Sequence, residues 1–233
     1  MFCHSCGTQV PDNVQFCPTC GASMPTAPNP FASPAPVAFV APTGIKAEPG
    51  RWTREAWEIV KADMGNYVLI ALVFWLINGV AGGLLAGPLT AGFHIYTLRK
   101  MLGRPAEFAD LFKGFNFFVP ALVAGLLIGI FTGLATLLCI IPGLVVAAMY
   151  KFTYLFIVDK RMDFWPAMQA SHEVVKNDYF GFTMFLLLLA LINFLGFLCC
   201  IVGLLVTMPL TVAAITVAYK ELIGLDQRTV DAI

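Results

Sequence analysis

The sequence predicts an all-α membrane protein with six transmembrane helices. Three long segments contain no Asp, Glu, Lys or Arg: Met64–Leu98, Gly114–Tyr150 and Tyr179–Tyr219. One helical crossing of a bilayer takes about 20 apolar residues, with about 17 as a lower limit, so each segment is too long for one crossing and fits two. The composition agrees, since 59% of the residues are hydrophobic, 12% are charged and the mean hydropathy is +0.81. We therefore expect each segment to form a hairpin of two crossings.

The first 23 residues have the cysteine spacing of a small metal-binding domain. One CxxCG motif contains Cys3 and Cys6, and a second contains Cys17 and Cys20. Four thiolates in two tight turns suit tetrahedral Zn²⁺, and the glycine after each pair permits the positive φ that such turns often need. We predict a zinc ribbon, residues 1–23, with these four cysteines as ligands. A redox pair and a tail without metal are the alternatives.

The ribbon is predicted to contact protein and not nucleic acid. The chain has zero formal net charge, and no Lys or Arg occurs between Met1 and Ile45. Because phosphate binding depends on basic side chains, nucleic acid is a poor partner. No secretory signal precedes Cys3, so we expect a reducing compartment, where cysteine pairs bind metal. A linker rich in proline and alanine, residues 24–50, leads to a membrane domain, residues 51–233.

The membrane domain is interpreted as three parallel copies of one unit, an interfacial helix followed by a hairpin. Three short matches relate the hairpins: Leu76-Ile77-Asn78 with Leu191-Ile192-Asn193, Pro88-Leu89-Thr90 with Pro209-Leu210-Thr211, and Gly143-Leu144 with Gly203-Leu204. The shifts are 115, 121 and 60 residues, the first two differing by a six-residue insertion. Since each copy has two crossings, all copies enter from the same side of the membrane.

Amphipathic stretches precede the hairpins. In the first of these, Trp52, Ala56 and Val60 share one face at helical spacing. Tryptophan beside a membrane span suits the headgroup region, so we expect this helix to lie along the interface. Similar stretches, Glu107–Phe117 and Pro166–Tyr179, precede the other two hairpins.

The charge distribution predicts the orientation. Lys and Arg flank the hairpins, whereas the predicted outer turns, near Gly82-Gly83, Cys139–Gly143 and Cys199–Gly203, carry neither. The positive-inside rule then places both termini in the cytoplasm. Three further cysteines are expected on the outer side, where both a disulfide and free thiols fit the sequence: Cys139, Cys199 and Cys200.

A family resemblance covers roughly residues 105–224. The motifs that carry it are Ile141-Pro142-Gly143, Asp159, Ala170-Ser171, Val175-Lys176-Asn177, Leu191-Ile192-Asn193, Leu195-Gly196, residues 203–209 and Ala218-Tyr219. They resemble a large bacterial group of polytopic membrane proteins of unknown function, and the stretch is similar to the membrane domain attached to some glycerophosphodiester phosphodiesterases. The resemblance implies a bacterial inner membrane. It implies no reaction, because in that enzyme family the chemistry belongs to a separate soluble barrel.

Polar residues within the apolar segments are the candidates for a functional site. Asn78 and Asn193 hold equivalent positions and suit either bonds between helices or a small polar cavity. His94 is assigned to a helix–helix hydrogen bond in preference to a proton relay, and Lys151 is expected to snorkel to the cytoplasmic interface. No carboxylate lies within a crossing, which disfavours coupling to protons or cations.

The glycines of α-helical spacing in the middle hairpin, Gly125, Gly129 and Gly133, form a face that permits close packing of helices. We assign this face to packing within the chain, and a homo-oligomer contact is the alternative.

Two hypotheses follow for the function. The first is a non-enzymatic multi-pass membrane protein with a cytoplasmic zinc ribbon that serves as a protein-interaction or scaffold module. The second is a transporter of a lipid or small molecule, with a cavity between the helical hairpins; a membrane enzyme is a weaker third reading. A cavity that holds Asn78, Asn193 and His94 would favour the second hypothesis over the first.

Overall fold

The computed structural model describes residues 6–8, 19–20, 39, 42, 44–199, 202–226 and 229. The chain divides into two compact units, Met1–Ala38 and Phe39–Ile233. The described part of the second unit is helical throughout and has no strand. Its α-helices are α1 (Pro49–Ala62), α2 (Met64–Val80), α3 (Ala86–Met101), α4 (Phe118–Leu138), α5 (Ile140–Met149), α6 (Thr153–Asp159), α7 (Phe164–Val175), α8 (Tyr179–Leu198) and α9 (Leu204–Ile223). Two 3₁₀ segments, Phe108–Phe117 and Lys176–Asp178, precede α4 and α8.

Each uncharged segment divides into two helices at a predicted turn. Between α2 and α3 the chain turns through Gly82 and Gly83, which have φ angles of 59° and 82°. Between α4 and α5 only Cys139 intervenes, in an extended conformation. α8 ends at Leu198 and α9 begins at Leu204. The apolar runs therefore contain their own helix breaks, where small residues permit a sharp change of direction.

Four helical stretches are long and apolar enough to cross a membrane: Phe108–Leu138, Ile141–Asp159, Phe164–Leu198 and Leu204–Ile223. α1 and α2 meet at 97°, and counting this bent pair as one span gives up to five. α2 and α3 have 17 and 16 residues, so each is about 25 Å long against a hydrocarbon layer of about 30 Å. The chain is therefore a membrane protein by helix length and composition, and the predicted six crossings are not established by length alone.

The outer surface of the second unit is apolar. Large hydrophobic side chains are exposed on α2, α4 and α8, including Leu76, Leu134 and Phe180 at 67%, 58% and 76%. Extended apolar patches of this kind are rare on soluble monomers and are typical of a surface that contacts lipid. α3 and α9 by contrast contribute the largest numbers of buried residues, 11 and 10, and α6 is buried over six of its seven residues.

The 3₁₀ segment Phe108–Phe117 packs directly onto the backbone of α3. A Cβ atom at Gly92 would lie 1.7 Å from the carbonyl oxygen of Leu111, so only glycine fits there. This segment is held by Asp110, whose carboxylate is buried and accepts hydrogen bonds from Arg99 Nη1 at 2.5 Å and from the Glu107 backbone N–H at 2.8 Å.

The apolar face predicted for α1 is confirmed, and it packs against protein, with Trp52 at its centre; the position of α1 at the membrane interface stays a prediction. Trp52 is fully buried against Phe182 and Phe185 of α8, and its Nε1–H donates to Glu221 Oε2 at 3.0 Å. The indole therefore belongs to the protein core. The aromatic rings of α8 supply the apolar surroundings that the headgroup region was expected to provide.

The corner between α1 and α2 is fixed by Asp63. Its carboxylate accepts a hydrogen bond from Tyr96 Oη at 2.6 Å and pairs with Lys100 Nζ at 2.5 Å. Partial burial raises the pKa of the Asp63 carboxyl, but the hydrogen bonds from Lys100 and Tyr96 outweigh it, so the pKa lies below its usual value. The corner is thus tied to the end of α3.

The end of the predicted linker contacts the second unit. The ring of Phe39 packs edge-on against Phe156, with 4.8 Å between ring centroids. The backbone N–H of Ala47 donates to Asp178 Oδ2 at 3.1 Å. These contacts place residues near the predicted end of the linker within the packed part of the second unit.

Candidate functional site

The helical stretch Ile141–Asp159 is interrupted in its middle. α5 ends at Met149 and α6 begins at Thr153, so residues 150–152 form a turn. The side chain of Ser171, which is fully buried on α7, donates to the Met149 carbonyl at 2.6 Å and accepts from the Phe152 N–H at 3.2 Å. Irregular backbone at membrane depth is tolerated where protein groups satisfy it or where it lines a cavity. Both conditions are met here.

A cavity of about 460 Å³ lies beside this interruption, and its walls come from six helices, α3, α4, α5, α6, α8 and α9. Its polar lining residues are Thr90, His94, Thr132, Tyr150, Lys151, Tyr154, Asn193 and Thr211. Its apolar lining residues are Gly125, Ile128, Gly129, Ala147, Met208, Val212 and Ile215. The volume is within the range of about 300–1,000 Å³ usual for small-molecule sites.

Two of the three polar residues expected to form a site meet at this cavity. His94 Nδ1 is 2.8 Å from Thr216 Oγ1, and Thr216 in turn donates to the Val212 carbonyl at 2.8 Å. The Thr216 hydroxyl proton is thereby used, so His94 Nδ1 is the donor in this pair. Asn193 donates to Thr211 Oγ1 at 2.7 Å and links α8 to α9. The predicted helix–helix bond of His94 is confirmed.

Asn78 does not join them. Its amide donates to the Phe74 carbonyl at 3.1 Å within its own helix, and it does not line the cavity. The equivalence with Asn193 in sequence therefore does not extend to a shared site. Asn78 continues the buried face of α2 after Phe74, and its Oδ1 is buried without a hydrogen-bond partner, whereas Asn193 of α8 bonds to Thr211 of α9.

Lys151 lies in the interruption and lines the cavity, which differs from the predicted snorkelling to the interface. In the described part of the chain its ammonium group makes no ion pair or hydrogen bond. Tyr150 and Tyr154 lie on either side of Lys151, and the sequence analysis did not single out either of them. The available signal was the position of Lys151 directly after an uncharged segment.

The glycine face of α4 packs closely at one position only. A Cβ atom at Gly125 would lie 3.0 Å from Tyr154 Oη and 3.5 Å from Gly87 Cα, so α3 and α6 approach α4 here. A Cβ atom at Gly129 or Gly133 would meet nothing within 4 Å. The prediction that the whole face serves packing within the chain is wrong for these two, and Gly129 lines the cavity instead.

A second, apolar groove of about 420 Å³ adjoins the cavity and shares Gly125, Gly129 and Tyr154 with it. Its other walls are the turn between α2 and α3 and the apolar side chains Leu122, Leu126 and Ile130. Tyr154 supplies the one polar side chain among its lining residues.

The predicted zinc site is only partly within the described residues. Cys6 and Cys20 are exposed, and Cys3 and Cys17 lie outside the described residues. Gly7 has a φ of 72°, as expected for the residue that follows the first cysteine pair. Across the described ranges, no group of three or more His, Cys, Asp or Glu side chains is placed to hold a metal ion. The donor set of the sequence fits Zn²⁺, and the four-cysteine site stays a prediction.

The outer cysteines form no disulfide with each other where the structure describes them. Cys139 and Cys199 are both exposed free thiols. Cys200 lies outside the described residues. The free-thiol alternative therefore applies to Cys139 and Cys199.

Comparison with known proteins supports the class that the fold and sequence define, a membrane protein with a zinc ribbon. The model of a zinc-ribbon domain matches residues 2–24. One uncharacterised protein of Mycobacterium bovis and two of Mycobacterium tuberculosis are each 28% identical over 190 residues. The alignments cover 82% of this chain and 54% of each relative, so the chain spans about half the length of the curated relatives it matches.

No solved structure shows a significant match to the chain. The resemblance to the membrane domain attached to glycerophosphodiester phosphodiesterases is not among these findings and stays a prediction.

Proposed function

We propose that the membrane domain binds, and in the course of transport releases, a lipid or small molecule in the cavity between its helices. The observation that carries this proposal is the cavity at the interrupted helix, which is lined by eight polar residues between helices whose exposed side chains are largely apolar. Polar groups at membrane depth are costly and mark functional sites by default. The sequence alone favoured a scaffold; we prefer the transporter because the cavity holds two of the three polar residues expected for it, His94 and Asn193. The proposed role is non-catalytic.

The packing order supports three repeated hairpins arranged in a ring. The first helix of each hairpin packs against the second helix of another: α2 against α9, α4 against α3, and α8 against α5. The segments that precede the hairpins follow the same order: α1 packs on α9, Phe108–Phe117 on α3, and α7 on α6. A ring of this kind encloses a central site that all three copies share.

The repeat register supports the same arrangement. With the shifts of 121 and 60 residues found in the sequence, Thr90, Lys151 and Thr211 fall at equivalent positions. All three line the cavity. Binding at the junction of repeats, beside a discontinuous helix, is the arrangement used by many transporters. Six crossings follow if α2 and α3 also span the membrane, and both termini then lie on the same side. The distribution of Lys and Arg favours the cytoplasm of a bacterial cell, and a reporter fused at either end tests this.

A matched pair of substitutions on α4 tests the proposal. Neither Gly129 nor Gly133 has an atom within 4 Å of an added Cβ, and only Gly129 lines the cavity. We expect Gly129→Leu to fill the cavity without disturbing the backbone, and Gly133→Leu to leave it open. The measurement is mass spectrometry of lipids and small molecules retained by the detergent-purified full chain. Equal retention by both variants would contradict a binding role for the cavity.

The zinc ribbon has a separate proposed role, favoured by the domain match at residues 2–24. We propose that it contacts a protein partner, because the first 45 residues carry no Lys or Arg to bind phosphates. Cross-linking and affinity purification of Cys17→Ser against the unmodified chain tests this. Partners retained by the variant, with zinc lost, would refute a role for the ribbon in binding them.

A further inference from the structure

We propose that the ligand of the cavity is an amphiphile with one anionic group, a carboxylate or a phosphate, which the ammonium group of Lys151 binds. This inference rests on the proposed binding function and names the class of ligand.

The charged lining of the cavity is positive only. Lys151 lines it, and no Asp or Glu is among its lining residues. Elsewhere in the described chain the ammonium groups of Lys61, Lys100, Lys113, Lys160 and Lys176 each pair with a carboxylate. Lys46, Lys151 and Lys220 form no such pair within the described ranges, and of these three only Lys151 lines the cavity. A cation that is buried without a counter-ion has lost hydration free energy and has gained no ion pair in return. An anionic group of the ligand would supply that ion pair, because no protein carboxylate competes for Lys151.

Three hydroxyl groups that line the cavity with Lys151 have no acceptor for their protons within the described residues. The hydroxyl groups of Tyr150 and Tyr154 make no hydrogen bond to the described part of the protein. Thr132 Oγ1 is buried and has no partner either. A carboxylate or phosphate offers only acceptor lone pairs, and it satisfies several donors at once. A cation or a polyol fits this set less well, because each brings donors of its own.

The rest of the ligand is assigned to the apolar groove. The groove joins the cavity at Gly125, Gly129 and Tyr154, and its remaining walls carry no polar side chain. It runs between the turn that follows α2 and the side chains of α4, many of which face lipid. A hydrocarbon chain placed there leaves the membrane surface and reaches the cavity without crossing polar protein. The two volumes thus fit the two ends of an amphiphile.

The test uses the full-length chain in neutral detergent and three probes: oleate, oleyl alcohol and inorganic phosphate. Binding is read from displacement of a dansyl-labelled fatty acid. We expect Lys151→Gln to raise the dissociation constant of oleate about tenfold, which corresponds to the loss of one charge-assisted contact of about 1.4 kcal/mol. Lys151→Arg retains the charge and is expected to bind oleate within about threefold of the unmodified chain. Size-exclusion profiles and helical circular dichroism verify that each variant is folded.

The neutral probe separates this inference from the proposed function. Oleyl alcohol is expected to bind weakly and to be unaffected by Lys151→Gln, whereas Gly129→Leu weakens both amphiphiles. Equal binding of oleate and oleyl alcohol, unchanged in Lys151→Gln, would overturn the anionic ligand and leave the cavity function standing. Binding that Gly129→Leu does not alter would overturn both. Inorganic phosphate that displaces the probe as well as oleate does would overturn the apolar chain and assign a free anion.

Discussion

Ser171→Ala removes the side chain that satisfies the interrupted helix. Ser171 is fully buried, and its hydroxyl makes bonds of 2.6 Å to the Met149 carbonyl and 3.2 Å from the Phe152 N–H. Alanine is close to serine in size, but it leaves the Met149 carbonyl and the Phe152 N–H without the hydroxyl as a hydrogen-bond partner. Each buried polar group left unpaired costs about 1–3 kcal/mol. Since the second bond is long, we expect the free energy of unfolding to fall by about 2–4 kcal/mol.

The assay is unfolding of the purified chain by SDS in mixed micelles, followed by circular dichroism. Thr136→Ala is the matched control, because its hydroxyl is exposed and bonds to the Thr132 carbonyl within the same helix. We expect it to change the free energy of unfolding by less than about 0.5 kcal/mol. Ser171→Cys retains a weak donor and is expected to fall between the two.

A loss below 0.5 kcal/mol for Ser171→Ala, or one equal to that of the control, would refute this account of the interruption. The same variant carries a second expectation. If the turn at residues 150–152 relaxes into continuous helix, Lys151 rotates away from the cavity, and binding of oleate weakens together with stability. Stability lost with binding unchanged would mean that Ser171 supports packing alone.

Three further outcomes are expected. Tyr219→Phe removes the hydroxyl that donates to buried Asp159 at 2.9 Å, and the same titration should show a loss of about 1–3 kcal/mol. The pKa of Asp63 is lowered in the folded chain, so its contribution to stability is present above the ordinary pKa of about 4 and is lost as pH falls. Asp63→Asn should therefore make the free energy of unfolding less dependent on pH in the acid range. Cys6→Ser should lower the zinc content measured by plasma mass spectrometry, whereas Cys139→Ser should not.

The helix pairs and their turns could be predicted because their signals are local. An uncharged segment of 35 residues with two adjacent glycines near its middle leaves few alternatives to two helices and a turn. The apolar face of α1 could be predicted for the same reason, because its residues recur at helical spacing within one short stretch. The number of crossings could not be predicted, because hydropathy shows which residues avoid water but not where each helix ends. α2 and α3 are both shorter than a full span.

The cavity could not be predicted from the sequence, because its walls are formed by residues that are far apart along the chain. Ser171 acts on residues 19 and 22 positions away, and His94 bonds to Thr216 across 122 positions. Snorkelling was predicted for Lys151 because its distance from Asp159 was counted along an unbroken helix. The interruption of that helix turns the side chain inward. The repeat register, which aligns Lys151 with Thr90 and Thr211, was a further sequence signal for the position of Lys151.

The contact between α1 and α9 has a consequence for the order of assembly. Trp52 Nε1 bonds to Glu221, 169 residues further along the chain. During synthesis α1 leaves the ribosome long before α9, so its apolar face has no intramolecular partner while the intervening helices insert. The bilayer surface is the environment that an amphipathic helix then prefers. We therefore expect α1 to lie along the membrane interface until α8 and α9 have been made, and Trp52 to become buried only when it contacts them.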